Sequence, residues 1–260
     1  MKSMLTDTHA HLYYPEILDI LDEILNRAKD TGIERIIVPA VDLASSLKVL
    51  ELSEKYEMIY AALGVHPGDV SKSKPDDIDK IEKLLTHEKV VAVGETGLDY
   101  YWDTSFVKEQ KEFFSLQIEM AISHNLPVVI HTRDSTSDAI SIVESFSGKN
   151  LKGQFHCFTG NETELDKILN IENMFISYCG NITYKNFSNT EVILKTPPDR
   201  LLSETDSPFL PPVPYRGKKN EPSFMLKTLE KISEFTSTGI DDLKETVSLN
   251  AQELFFQKKF

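Results

Sequence analysis

Six potential metal ligands stand at corresponding ends of short apolar runs spread over almost the whole chain. They are His9 and His11 in LTDTHAHL, Glu95 in VVAVGETGLDY, His131 in PVVIHTRD, His156 in KGQFHCFTG and Asp206 in LLSETDSP. A single histidine or carboxylate beside a strand has many explanations. Six at the same strand end require a fold that gathers those ends in one place, and a two-metal hydrolytic site is what such a gathering can build.

The rest of the pattern names the fold. Strand-like runs at 4–8, 33–41, 58–65, 90–95, 127–131, 153–158, 174–180 and 201–205 alternate with amphipathic segments at 15–31, 44–56, 75–87, 105–124, 135–147, 161–171, 185–195, 222–236 and 240–257. Asn161 with Glu164 three residues on forms a helix-start signature, Asp76 and Asp77 open the segment at 75, and Ser135 stands before its own. Alternating strands and helices call for a parallel sheet with right-handed crossovers. In an open sheet only ligands near the switch point converge. Here ligands follow strands one, four, five, six and eight, and only closure brings strand one beside strand eight. A (β/α)8 TIM barrel is therefore expected, as one domain over 1–260, with the candidates at the C-terminal ends of its strands.

Bulk properties limit the function classes. The net charge of −13 argues against a broad basic nucleic-acid surface, while leaving room for a site whose positive field comes from bound cations. The chain has no run of about 20 apolar residues and no apolar signal core in MKSMLTDTHAHL, so a cytoplasmic protein is expected, away from membranes. Cys157 and Cys179 lack the spacing of a thiolate zinc site. Strand alternation points Cys157 away from His156 and the site, as a small apolar residue.

Each candidate has a chemical reason. His9 and His11, two apart in a strand, project to one face and can share a cation. His131 and His156, on adjacent strands, can hold a second, and the two oxygens of Glu95 can bridge both. Asp206 completes the first set and can accept a proton from water, which makes it and Glu95 the catalytic candidates. Glu204 can orient a histidine or simply support packing. Two divalent ions against two carboxylates leave net positive charge, suited to a phosphate diester. Arg133 can fork onto phosphate oxygens or pair with Asp134 or Asp138, and His66 in GVHPG can touch the phosphate. The irregular stretch at 209–222 is expected to cross the site mouth, with Arg216, Lys218 and Lys219 tracking a nucleic-acid backbone or forming a solvated tip. Tyr100, Tyr101 and Trp102 can stack a base or pack on the rim.

The motifs THAHL, GVHP, GETGLDYY, VIHTRD, HCFTG, ETDSPFL and PYRGKKNEP cover almost the full length, and together they resemble the TatD family of metal-dependent deoxyribonucleases. The resemblance implies a cytoplasmic hydrolase with two divalent metal ions (magnesium, manganese or zinc) ligated by His9, His11, Glu95, His131, His156 and Asp206. It also implies DNA as the partner, cleaved from 3′ to 5′ with a preference for single-stranded ends. A monomer is expected. The alternative is a two-metal hydrolase of a small phosphoester, amide or lactone, for which the basic loop would have little use.

Overall fold

The computed structural model describes residues 4–257, so the outermost residues of the expected 1–260 domain lie outside it. Its strands are β1 (Leu5–Asp7), β2 (Ile33–Pro39), β3 (Ile59–Leu63), β4 (Val90–Asp99), β5 (Val128–Arg133), β6 (Gly153–Phe155), β7 (Met174–Tyr178) and β8 (Leu201–Ser203). They pair in sequence order, all parallel, with helices between them: a (β/α)8 TIM barrel. Parallel strands buried on both faces need apolar side chains throughout, which is why Ile36, Val38, Ala61, Leu63, Val93 and Ile130 are fully enclosed. A separate apolar cluster joins Ile37, Ala62, Ala92, Val129 and Leu202 to Leu254 and Phe255 of the helix Ile240–Phe256. The next residue of that helix, Phe256, packs on Tyr60 at the start of β3, so the helix covers the end where strands begin. The other end is left to the polar residues.

Three elements differ from the sequence expectation. The segment at 15–31 is two helices, Pro15–Leu18 and Leu21–Asp30, because Ile20 leaves the helical region with φ −128° and ψ 20°. The segment at 185–195 is helical only over Thr190–Lys195. Strand β4 runs to Asp99 rather than stopping at Glu95, since Thr96, Gly97, Leu98 and Asp99 continue to pair with Ile130, His131, Thr132 and Arg133. Gly97 permits this: with φ +132°, a Cβ there would lie 2.1 Å from the carbonyl oxygen of His131.

Closure between β8 and β1 relies on bonds beyond the regular ladder. The Thr8 N–H and hydroxyl donate to the Ser203 carbonyl at 3.4 and 3.2 Å, and the His11 N–H donates to Ser207 at 2.7 Å. Asp7, fully buried, accepts from the Thr205 N–H (3.0 Å), the Thr205 hydroxyl (2.6 Å) and the His9 N–H (3.3 Å). Removing that carboxyl strands two backbone donors and a hydroxyl, at roughly 1–3 kcal/mol for each buried group left unpaired. Asp7→Ala is expected to lower stability by about 3 kcal/mol or more, seen as a drop in denaturant midpoint. An unchanged midpoint would mean that Asp7 does not secure the seam.

Candidate metal centre

The six residues that stand at strand ends in the sequence converge at one end of the barrel. His9 and His11 follow β1, and their rings face the same point with Nε2 atoms 3.1 Å apart. Glu95 lies within β4, 3% exposed. His131 sits on β5 opposite Gly97, and His156 directly follows β6. Asp206 comes just after β8 with φ +56°, a left-handed conformation that few non-glycine residues adopt. Its N–H donates to the His9 carbonyl at 2.8 Å, which carries its carboxylate over the first strand.

The distances divide the cluster in two. Glu95 Oε2 lies 3.4 Å from both His9 Nε2 and His11 Nε2, and Asp206 Oδ1 lies 3.7 and 3.6 Å from the same nitrogens. Glu95 Oε1 lies 2.9 Å from both His131 Nδ1 and His156 Nε2, which are 3.2 Å apart. Ligand atoms that each stand about 2.0–2.2 Å from one divalent ion are separated by roughly 3–3.5 Å. The donor set therefore suits divalent metal, with one oxygen of Glu95 directed at each pair of imidazoles.

A surrounding layer fixes these orientations. Asp99 Oδ2 is 3.1 Å from His131 Nε2, so the ring presents Nδ1 inward, while Asp99 Oδ1 accepts from the Tyr101 and Trp102 N–H groups at 2.9 and 3.3 Å. Glu204 Oε1 is 3.3 Å from His156 Nδ1, and its Oε2 accepts from the Ser177 hydroxyl at 2.7 Å, so it does more than support packing. His66 Nδ1 accepts from the Gly68 N–H at 3.0 Å, which leaves Nε2 free, 3.8 Å from Glu95 Oε1. Burial alone would raise the Glu95 carboxyl; His156, His9, His66 and His131 outweigh it and hold the group well below the usual carboxylate range. Burial lowers His66 to about 4, a neutral ring at physiological pH.

Asp99 stands outside the six strand-end candidates of the sequence. The signal was present, since Glu95, Gly97 and Asp99 share one face of a strand, but the two glycines made the strand look finished at Glu95. The expectation for Cys157 was wrong. Strand β6 ends at Phe155 and Cys157 takes φ +43°, so alternation no longer applies. Its sulfur lies within 4.8 Å of Cys179 Sγ and a Glu204 oxygen, beside the centre rather than pointing away from it.

The basic residues lie around the mouth. Arg133, exposed at the end of β5, places its guanidinium 3.8 Å from the Tyr101 ring centroid and 5.2 Å from that of Trp102. Asp138 is instead taken by Lys111 at 2.6 Å and the Tyr100 hydroxyl at 2.9 Å. The stretch at 209–222 starts at the site, with the Phe209 ring 6.0 Å from that of His11, and Asn220 anchors it by donating to Thr205 and Phe209 carbonyls, both at 2.7 Å. Within it Arg216 lies over Tyr184 at 3.9 Å, and Lys218 and Lys219 are exposed. None of these four cations joins the imidazole cluster.

The profile of the family described as TatD related DNase matches residues 6–256. The chain is 42% identical over 253 residues to the uncharacterized metal-dependent hydrolase YabD of Bacillus subtilis, covering 97% of this chain and 99% of that protein. It is 32% identical to the uncharacterized metal-dependent hydrolase YcfH of Escherichia coli, over 96% and 95% of the two chains. Among solved structures, the TatD homolog YjjV of Escherichia coli superposes with a TM-score of 0.93 at 30% identity, covering 99% of this chain and all of that one.

Metal loading of this cluster should displace protons. Burial raises the Asp206 carboxyl to about 6, and Glu95 with Glu204 raise the His156 imidazole well above its usual value despite burial. Both groups bind a cation only after deprotonation, so affinity rises as pH climbs through about 6 for Asp206 and on above the ordinary imidazole range for His156. Titration calorimetry in buffers of different ionisation heat is expected to show proton release at pH 5.5 and affinity at least tenfold weaker than at pH 8. A pH-independent affinity would contradict the assigned ligands.

Proposed function

The chain belongs to the TatD related DNase family, a family of metal-dependent hydrolases, and on that premise we propose that it hydrolyses DNA phosphodiester bonds, acting from the 3′ ends of single strands. The observation that carries the reading is the division of Glu95, one oxygen toward His9 and His11, the other toward His131 and His156. His9, His11, Asp206 and Glu95 would hold one divalent cation, and His131, His156 and Glu95 the other. Magnesium, manganese or zinc at these positions would supply positive charge to phosphoryl oxygens and acidify water.

The side chains supply the rest. Asp206, only 13% exposed and beside His9 and His11, is placed to accept a proton from the attacking water. His66 directs a free Nε2 at the edge of the cluster, where it can donate to a non-bridging oxygen. Arg133 adds a planar cation on the β5 side, and Arg216, Lys218 and Lys219 add charge on the β8 side. In a chain of net charge −13, these cations would supply local positive charge for an incoming polyanion.

Metal-stripped protein resupplied with magnesium, manganese or zinc is expected to release mononucleotides from a 3′-labelled single-stranded oligonucleotide. His131→Ala removes a nitrogen 2.9 Å from Glu95 and should cut the rate by at least about a hundredfold. No cleavage with any metal, beside turnover of a small phosphoester, would move the assignment to a small-molecule hydrolase. Separately, Lys218→Ala combined with Lys219→Ala should reduce the slope of log affinity against log salt by about 1.4. An unchanged slope would remove these lysines from the nucleic-acid contact.

A further inference from the structure

Among the segments that follow β4, β5 and β6 lies a cleft of about 590 Å³, a size typical of small-molecule sites. Arg133 and Tyr101 line it as a stacked layer, and Trp102 packs edge-on against Tyr101 with centroids 5.0 Å apart. Trp102 is 74% exposed and Tyr101 55%, an arrangement that leaves large aromatic surface in water beside a cation. An arginine laid over a ring keeps its N–H edge free for an anion while its faces stack. The hydroxyls of Thr132, Ser137 and Thr159 line the same cleft, and each can donate or accept. Of its three carboxylates, Asp138 is held by Lys111 and Tyr100, Glu164 by the Asn161 N–H at 2.9 Å, and Asp134 is exposed.

The cleft is also wired to the centre. Asp99 accepts the N–H groups of Tyr101 and Trp102 with one oxygen and contacts His131 with the other, so the backbone carrying the aromatic pair is held by the carboxylate that orients a proposed ligand. Arg133 is two residues beyond His131 on β5. A phosphate at the metal pair thus has, on one side, a cation for its neighbour and an aromatic layer for the attached base.

We propose that this cleft is a nucleobase subsite, in which the terminal base of a single-stranded end stacks on the Arg133–Tyr101 layer with Trp102 at the rim. The proposal rests on the phosphodiesterase reading and adds to it the recognition of a base. Stacking tolerates every base, since each has a π-face, so the subsite would favour unpaired ends without selecting sequence.

Trp102 is the only tryptophan in the chain, and it touches Tyr101 and lies 5.2 Å from the Arg133 guanidinium, so its fluorescence reports on that layer. Magnesium-loaded protein is titrated with a single-stranded DNA pentanucleotide made hydrolysis-resistant by phosphorothioate linkages, and with the same strand lacking its 3′-terminal base. The expected result is saturable quenching, with affinity about tenfold weaker for the abasic strand. Tyr101→Ala, at an exposed side chain, should weaken binding of the base-bearing strand about tenfold and erase the difference between the two strands. Equal affinity for both strands in the wild type, or equal weakening of both by Tyr101→Ala, would overturn the subsite. Base-dependent quenching without cleavage of the unmodified strand by any metal would keep the subsite and remove the nuclease reading. Cleavage without base-dependent quenching would do the reverse.

Discussion

The arrangement depends on closing the barrel between its first and last strands. Seven strand pairings follow sequence order, and the eighth contact is made by the Asp7 carboxyl, the Thr8 N–H and hydroxyl, and backbone bonds from His11 to Ser207 and from Asp206 to His9. That seam sets where His9 and His11 point and brings Asp206 to them. Without it the two imidazoles would face an open edge, and Glu95 would have partners on one side only.

Around the closed seam the chain solves an electrostatic problem. A buried carboxylate costs several kcal/mol unless it is paired. Glu95 is enclosed yet remains ionised because five imidazoles stand about it, and neighbouring segments supply the groups that aim three of those rings: Asp99 for His131, Glu204 for His156, Gly68 for His66. The same geometry that makes the charge tolerable leaves ring nitrogens in facing pairs, which is the arrangement a divalent ion asks for. Favourable burial of the acid and readiness for metal are one property of the cluster.

Much of this was legible in the chain. The eight strands follow from apolar runs of the right length, and the barrel follows from ligand-type residues at both ends of the sequence, which only closure can unite. What escaped did so for local reasons. Gly94 and Gly97 look like punctuation, yet Gly97 is there because β5 passes too close for a Cβ, so β4 continues and Asp99 lands on the face of Glu95. Cys157 and Asp206 both adopt positive φ just past a strand, a backbone state that side-chain type does not announce, and it turned the cysteine toward Glu204. Which surface aromatics the cations would choose, Arg133 over Tyr101 and Arg216 over Tyr184, depends on loop geometry that no periodicity encodes.

The seam also has a consequence in time. Asp7 and Thr205, which clasp each other across it, are 198 residues apart in sequence. As the polypeptide leaves the ribosome, His131, His156 and Glu95 are all present long before Asp206 is made, but His9 and His11 must wait for nearly the entire barrel. A chain made through His156 carries Glu95, His131 and His156, whereas His9 and His11 meet Asp206 only once β8 has been made, so the whole donor cluster comes into being only with the finished fold.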